Sequence, residues 1–362
     1  MKLKKKAGIA GILLLFCLII HLYSSSKIRV ETGYSIHFFA SFSRFLRGLF
    51  GKIPFSFGDI LYGLLVCWLI WKVTRFFILA FRKNPAIPKR SFYSNAFLDL
   101  FIFCSAIYIV FNVFWGINYN RKGIAWQLGL KMEKYNPGDL KMINAVLVEK
   151  INVSKNMLVS GKVGYPSNQG LYKKVSDVYT TLSRQYPFLE YQPASIKSSI
   201  WGWLGNYTGF TGYYNPFTAE AQLNTTGPKF LHPFVACHEV AHQLGYAKEN
   251  EANFVGYLAA SNSGDPLFHY SVYLDLFIYA NRNLYFTDSA ASRTYREALD
   301  TNVVNDLKEW RKFNKRHQSI AEPIVRWVYG KYLQGNQQPD GVLSYDEVTA
   351  FIIAYYKKFG KI

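Results

Sequence analysis

The sequence predicts an α+β protein in which three transmembrane helices precede a mainly helical domain with a small sheet. Three observations lead to this fold class. The first 116 residues contain three long apolar stretches, and much of the rest shows the periodicity of amphipathic helices. Between residues 200 and 227, Gly, Thr, Tyr and Asn alternate with aromatic residues, which is typical of short strands and turns.

Three apolar stretches are long enough to cross a bilayer, and they cover residues 7–24, 59–79 and 96–115. The first follows a cluster of four lysines, and a cleaved signal peptide is the competing interpretation of this stretch. The second ends with Lys72 and Arg75, whose long side chains must reach back to the membrane surface. We expect residues 1–116 to form a membrane region.

The net charge of +19 is distributed unevenly along the chain. Residues 1–116 carry 15 Lys and Arg against three acids, whereas residues 117–362 carry 27 against 20. Most of the basic excess therefore flanks apolar stretches, as in membrane proteins. We expect the lipid bilayer, and no nucleic acid, as a partner of the chain.

The basic flanks also predict the orientation of the spans. Lysines in the first six residues, and basic residues at 82, 83, 89 and 90, mark the N-terminus and the loop before the third span as cytoplasmic. Three spans then place the C-terminal domain on the outer side of the cytoplasmic (inner) membrane. Five basic residues in the loop 25–57 weaken this prediction without reversing it.

An amphipathic segment is predicted at about residues 36–50, between the first two spans. Its apolar residues fall at helical spacing beside Arg44 and Arg47, and they are Phe38, Phe42, Phe45, Leu46 and Leu49. A helix lying on the membrane surface fits this pattern. Packing against the spans or against the C-terminal domain fits it equally well.

The part of the chain after the spans divides by composition. Residues 117–190 show helical patterns and are predicted to form a helical connector, and residues 191–362 are predicted to form a separate domain. Within that domain, residues 217–224 form either a strand at the edge of the sheet or a hairpin with a purely structural role. The four cysteines (Cys17, Cys67, Cys104 and Cys237) suggest no disulfide framework.

Residues 238–242 read His-Glu-Val-Ala-His and carry the strongest chemical signal in the sequence. Histidines four residues apart share one face of a helix, so His238 and His242 can bind the same metal ion. Glu239 lies next to the first ligand, where it can take a proton from a water molecule. Pro233 suits the first turn of this helix, and Gly245 suits the turn that ends it.

A third ligand is expected from the helix that starts near Lys248. We predict Glu251, because it shares a face with Val255 and Leu258, the apolar stripe expected to pack against the first helix. Glu249 lies on the opposite side of a helical wheel and is predicted to cap the helix or face water. Two histidines and one glutamate, with a position left for water, predict a catalytic Zn²⁺ site of the gluzincin type.

The motif and the following residues 249–254 resemble the ImmA/IrrE-like metallopeptidases. The whole chain is also similar to an uncharacterised family of bacterial multi-span membrane proteins with a zincin-like C-terminal domain. The segments that carry this second resemblance are 53–63, 115–121, 238–259 and 336–348. The resemblance implies metal binding at His238, His242 and Glu251, a catalytic Glu239, and a sheet whose edge strand lies beside the metal helix.

These features predict a membrane-anchored zinc metallopeptidase that cleaves a peptide or protein at the outer face of the membrane. Two alternatives stay open: a zinc-binding sensor or scaffold without turnover, and a zinc hydrolase of a non-peptide envelope component. A peptidase also needs a hydrogen-bond donor for the developing oxyanion. The sequence offers six candidates and selects none of them: Tyr213, Tyr214, Tyr246, Tyr257, His232 and His269.

Overall fold

The computed structural model describes residues 3–81, 88–341 and 347–362 and shows a mostly helical chain with one small sheet. The N-terminal helices are α1 (Leu3–Ser24), α2 (Lys27–Arg29), α3 (Ala40–Phe50), α4 (Phe57–Ala80) and α5 (Lys89–Phe114). A π-helical segment, Val30–Phe39, joins α2 to α3. Arg82 and Lys83, two of the basic residues that predict the orientation of the spans, lie outside the described residues.

Helices α1, α4 and α5 are the membrane spans predicted from the sequence. Each contains an apolar stretch long enough to cross a bilayer, and the stretches are Leu3–Ser24, Phe57–Ala80 and Ser91–Phe114. Ser56 caps the N-terminus of α4 by accepting a hydrogen bond from the Asp59 amide. The three helices indicate a membrane protein.

The predicted amphipathic segment is helical and has two different faces. Leu46 and Arg47 are buried against the C-terminal part, where Arg47 Nε donates a hydrogen bond to the Pro193 carbonyl at 3.0 Å. Phe45 and Leu49 are exposed on the other side of α3. The segment therefore packs on the rest of the protein and still presents an apolar face outward.

The rest of the chain is built mainly from helices around a common core. These helices are α6 (Gly123–Gln127), α7 (Pro137–Ser160), α8 (Asn168–Gln185), α9 (Gly202–Thr208), α10 (His232–Gln243), α11 (Glu249–Ser261), α12 (Pro266–Thr287), α13 (Ser289–Glu297), α14 (Thr301–Arg316), α15 (Ala321–Gly335) and α16 (Val348–Phe359). Short 3₁₀ turns lie at Gly116–Asn120, Pro187–Leu189 and Lys229–Leu231.

One continuous apolar core runs from Ile124 to Tyr355. The segment 117–190, predicted as a connector, contributes α7 and α8 to it, and α7 packs along α12. The two motif helices, α10 and α11, lie inside this core and are buried over most of their length. A site placed on them is therefore held by closely packed neighbouring helices.

Three short strands form the sheet, in the order β1 (Ile196–Ser198), β3 (Glu220–Leu223), β2 (Gly212–Asn215). β1 runs parallel to β3, and β2 pairs with β3 as an antiparallel hairpin in which Gly212 lies opposite Leu223. The segment 217–224 thus supplies the central strand, and the prediction that it forms the edge is wrong. The edges are β1 and β2, because each of them pairs with β3 on one side only.

The sheet is fixed to the start of the second span. The Glu220 carboxylate of β3 accepts hydrogen bonds from the Phe57 and Gly58 amides, at 3.1 and 2.6 Å. These amides belong to the first turn of α4, where helical backbone has no internal partners. The C-terminal part therefore sits at the end of the spans where α4 begins.

Candidate metal centre

Helix α10 brings the two motif histidines together. Pro233 occupies its first turn, as the sequence predicts. The Nε2 atoms of His238 and His242 lie 3.1 Å apart, and both side chains are buried. Two imidazole nitrogens at this distance point toward one location, which a shared metal ion requires.

The chain reverses direction directly after α10. Gly245 has a φ of +86°, a left-handed conformation that costs glycine little. A Cβ there would also lie 2.9 Å from the Phe39 ring. Farther along, a Cβ at Gly256 would lie 3.1 Å from the His238 backbone nitrogen. These two glycines allow α11 to return closely against α10.

Glu249, the first residue of α11, places its carboxylate beside both imidazoles. Its Oε2 lies 3.3 Å from His238 Nε2 and 3.5 Å from His242 Nε2. With the 3.1 Å between the two nitrogens, the three atoms form a nearly equilateral triangle. Ligands about 2.0–2.1 Å from a tetrahedral metal ion are roughly 3.3 Å apart. The two imidazoles and this carboxylate therefore fit Zn²⁺ in both chemistry and spacing.

Glu251, the predicted third ligand, lies elsewhere. Its carboxylate packs against Gly123, where a Cβ would lie 2.1 Å from Oε1. Burial raises the pKa of Glu251, and the charges that act on it come from Lys248, Arg121, Glu31 and Lys27 rather than from the histidines. In the described part of the chain, Glu249 lies beside the two histidines and Glu251, the predicted third ligand, does not.

A helical wheel does not identify which glutamate of α11 points to the histidines, because α11 is buried on nearly every side. It packs against α10, α12, α16 and α8, so its apolar residues define no single inward face. The positions that face the histidines are instead Glu249, Asn253 and Gly256, at helical spacing of four and three. The expectation that Glu249 caps the helix or faces water is also wrong, since Glu249 is buried and the N-cap position of α11 is Lys248.

Hydrogen bonds fix the orientation of the ligands. His242 Nδ1 lies 2.8 Å from the Tyr246 carbonyl oxygen. Because a carbonyl only accepts, Nδ1 carries the proton and Nε2 keeps its lone pair for a metal. The Tyr329 hydroxyl donates to Glu249 Oε1, and Asn253 lies near His238 and favours its charged form. Neighbouring groups therefore hold the side chains of His242 and Glu249 in place.

The charges in the cluster favour a bound cation. Burial raises the pKa of Glu249, but the charges and hydrogen bonds of His242 and His238 outweigh it and lower the pKa below its ordinary value. Burial lowers the pKa of His238, but Glu249 and Glu239 outweigh it and raise the pKa to about 9. Protons thus balance the carboxylates in the absence of metal, and a metal ion can replace that positive charge.

Glu239 lies beside the two histidines. Its carboxyl oxygen and the nitrogens of His238 and His242 all lie within 4.8 Å of one another. Burial raises the pKa of Glu239 to about 7, against the opposing charges of the histidines. Glu239 lies against Gly212 of β2, where a Cβ would be 2.6 Å from Oε1. Its Oε2 is buried and makes no hydrogen bond within the described residues.

The cluster opens into a cavity of about 500 Å³. His238, Glu239 and Asn253 line one side, and the start of β2 lines another. Residues of α9, α12, α14 and α15 complete the walls, and they include Asn206, Thr208, Asp275, Arg282, Trp310, Glu322, Arg326 and Tyr329. A cavity of this size holds several residues of a peptide or a small-molecule ligand.

Of the six predicted oxyanion donors, His232 is the one that lines this cavity. Burial lowers the pKa of His232 to about 4, so its imidazole is neutral near pH 7. The Tyr213 hydroxyl instead donates to Asp59, and the Tyr246 hydroxyl to Gln127. Tyr329 was missed from the sequence because 80 residues separate it from Glu249, and no local pattern connects the two.

Comparison with known proteins adds a family but no activity. The family model described as "Protein of unknown function (DUF3810)" matches residues 34–353. This range contains all four family-like segments noted in the sequence. Neither a curated protein nor a solved structure matches the chain. Because the match covers most of the sequence, the chain belongs to the DUF3810 family.

Proposed function

We propose that the protein is a membrane-anchored, zinc-dependent metallopeptidase with a zincin-like site. One observation carries the proposal: His238, His242 and Glu249 form a ligand triangle of 3.1, 3.3 and 3.5 Å beside Glu239 and a cavity. Structural zinc sites are usually closed by four protein ligands. Here three protein ligands lie together, and His238 and Glu239 border the cavity, so a position is left for water, as in catalytic sites.

Each residue has a distinct role in the proposed reaction. His238, His242 and Glu249 would hold Zn²⁺, which when bound polarises a carbonyl group and makes a water molecule more acidic. Glu239 takes the proton from the attacking water and gives it to the leaving amine. Burial raises the pKa of Glu239, which favours uptake of a proton by this carboxyl group. His232 is the candidate donor to the oxyanion.

The sheet supports a peptide as the substrate. β2 is an edge strand, and its first residue, Gly212, lies against Glu239 and lines the cavity. An extended peptide that pairs with the outer side of β2 would run past Glu239. This proposal retains the resemblance to the ImmA/IrrE-like peptidases with Glu249, in place of Glu251, as the third ligand.

The proposed location follows from charge and from the fold together. Basic residues around the spans favour an N-terminus in the cytoplasm. The metal centre lies at the end of the spans where α4 begins and α5 ends, since Trp115, directly after α5, donates to the His242 carbonyl at 3.3 Å. In that orientation the site acts at the outer face of the cytoplasmic membrane.

The test compares the full-length wild type with Glu239→Gln, purified in mild detergent and loaded with zinc. The probes are fluorescein-labelled casein and an extract of cell-envelope components. We expect both proteins to bind zinc and only the wild type to cleave casein. Glu251→Gln is the matched control, because this neighbouring buried glutamate lies outside the ligand triangle.

Two outcomes would replace the proposal with another function. Hydrolysis confined to the envelope extract, and abolished by Glu239→Gln, would indicate a non-peptide hydrolase. A zinc-loaded wild type that cleaves neither probe, and behaves like Glu239→Gln, would indicate a zinc-binding sensor or scaffold.

A further inference from the structure

Helices α9 and α15 carry an apolar surface that the described residues leave exposed. Helix α15 and the residue before it present a stripe of exposed apolar side chains. The stripe consists of Ile320, Ile324, Trp327 and Val328, which follow one another at intervals of four, three and one residues. Helix α9 and the turn before it add Ile200, Trp201, Trp203, Leu204 and Tyr207. Trp203 is 56% exposed and Trp327 is 65% exposed. The two helices pack on each other, so these residues form one surface, the α9–α15 surface.

A surface of this kind on a soluble domain usually has a partner, because contiguous exposed apolar area is rare on monomers. Its position beside the spans identifies the partner. Trp201 Nε1 donates to the Asp59 carbonyl of α4 at 3.0 Å, and a Cβ at Gly63 would lie 3.2 Å from the Trp201 ring. Gly63 lies six residues into α4, about 9 Å along the span. Trp201 therefore lies alongside the span rather than above its end.

Helix α15 has the same relation to the third span. The ring of Tyr332 lies 6.2 Å from that of Phe111, which precedes the end of α5 by almost one turn. The α9–α15 surface thus adjoins the spans within about two turns of the start of α4 and of the end of α5. Trp and Tyr side chains concentrate at this level of a membrane, where one end of the ring is apolar and the other is wet.

Basic residues adjoin the α9–α15 surface. Helix α14 ends directly before α15, and its His317 C-cap packs against Tyr207 of α9, with ring centroids 5.1 Å apart. Five exposed basic side chains occupy α14, and they are Lys308, Arg311, Lys312, Lys315 and Arg316. Lys and Arg next to an inserted apolar surface attract anionic lipid headgroups. The charge next to the surface therefore suits a bilayer.

The same two helices also form walls of the cavity. Asn206 and Thr208 of α9, and Glu322, Arg326 and Tyr329 of α15, line it. On each helix, polar residues thus face the cavity and apolar residues face outward. We propose that the α9–α15 surface is embedded in the bilayer interface, so that the cavity opens at the membrane surface and receives peptide segments held on the membrane. The proposed contact with the bilayer does not depend on the proposed function, whereas the choice of a peptide as substrate rests on it.

The test measures immersion of the surface without requiring activity. The full-length protein, with its four cysteines replaced by serine or alanine, is reconstituted at one copy per lipid nanodisc. A nitroxide label is attached after Trp203→Cys or Trp327→Cys, and its collisions with oxygen and with a water-soluble nickel complex are compared. Met157→Cys is the control, because Met157 is also an exposed apolar residue but lies on α7, away from the spans.

We expect labels at positions 203 and 327 to collide mainly with oxygen, and the label at 157 to collide mainly with the nickel complex. Access to nickel at all three positions would overturn the proposal, and so would protection from both reagents at 203 and 327, which indicates a protein partner. If the cysteine-free protein does not fold, quenching of native Trp fluorescence by brominated lipids provides the second measurement. Wild type should then lose more fluorescence than Trp203→Ser/Trp327→Ser, and equal quenching would contradict the proposal.

Discussion

Glu249 Oε2 lies 3.3 Å from His238 Nε2, although the two residues belong to different helices. The contact exists because Gly245 reverses the chain and Gly256 lets α11 approach the backbone of His238. Helix packing, rather than the motif itself, therefore places the proposed third ligand. Residues that hold α11 in place, or that hold Glu249, should consequently affect metal binding.

Tyr329→Phe tests the support of the third ligand. The substitution removes the hydroxyl group that donates to Glu249 Oε1 and leaves the ring in place. Loss of such a supporting hydrogen bond typically weakens metal binding about 10- to 100-fold. Zinc affinity is measured by competition with a chromophoric chelator. Tyr332→Phe is the matched control, because the Tyr332 hydroxyl pairs with Tyr119 on the same side of α15. Equal affinities in the two variants would refute the role of Tyr329.

Gly212→Ala tests the position of the general base. A Cβ at this residue would lie 2.6 Å from Glu239 Oε1 and 3.0 Å from the Gln222 carbonyl oxygen, so Glu239 or β2 must move. A displacement of about 1 Å in a catalytic group can lower the rate roughly 100-fold. We expect the rate of casein cleavage to fall by about this factor, while the zinc content stays unchanged. Gly164→Ala is the control, since a Cβ there contacts nothing within 4 Å. An unchanged rate in Gly212→Ala would argue against Glu239 as the base.

The buried ion pair between Glu31 and Arg121 should make the stability of the protein dependent on pH. Arg121 Nη2 lies 2.6 Å from Glu31 Oε1, and Arg121 also donates to the Gly245 carbonyl in the turn after α10. Burial alone would raise the pKa of Glu31, but the hydrogen bond and charge of Arg121 outweigh it and lower the pKa below 4.5. The ionised Glu31 carboxylate therefore makes its full contribution to the stability of the fold above about pH 4.5. This contribution is lost as the pH falls through the lower pKa of the folded state.

Glu31→Gln reveals this contribution as a difference in melting temperature from the wild type. Removing one partner of a buried ion pair costs about 3–5 kcal/mol. We expect a large difference at pH 7 that shrinks as the pH falls below 4.5 and through the lower pKa of Glu31 in the folded state, where Glu31 of the wild type becomes protonated as well. Glu190→Gln is the control, because its pair with Arg44 is exposed. A difference that stays constant with pH would show that the charge of Glu31 does not stabilise the fold.

How far the sequence predicts this protein depends on the range of the interactions involved. The three spans and the motif helix follow from composition and spacing within about 20 residues, and the structure has them where they are predicted. The third ligand depends on how two helices pack, which a single amphipathic pattern cannot reveal when α11 is buried on most sides. The contacts of Tyr329 and of Trp201 join residues 80 and 142 positions apart, and the sequence alone contains no signal for them.

The central claim is that Glu249 completes a metal site with His238 and His242. The most direct measurement is the metal content of the purified full-length protein as wild type, Glu249→Ala and Glu251→Ala, with folding checked by circular dichroism. We predict about one zinc per chain in the wild type and in Glu251→Ala, and loss of zinc in Glu249→Ala. Loss of zinc only in Glu251→Ala would contradict the ligand assignment, and a folded wild type that binds no metal would contradict the metal site itself.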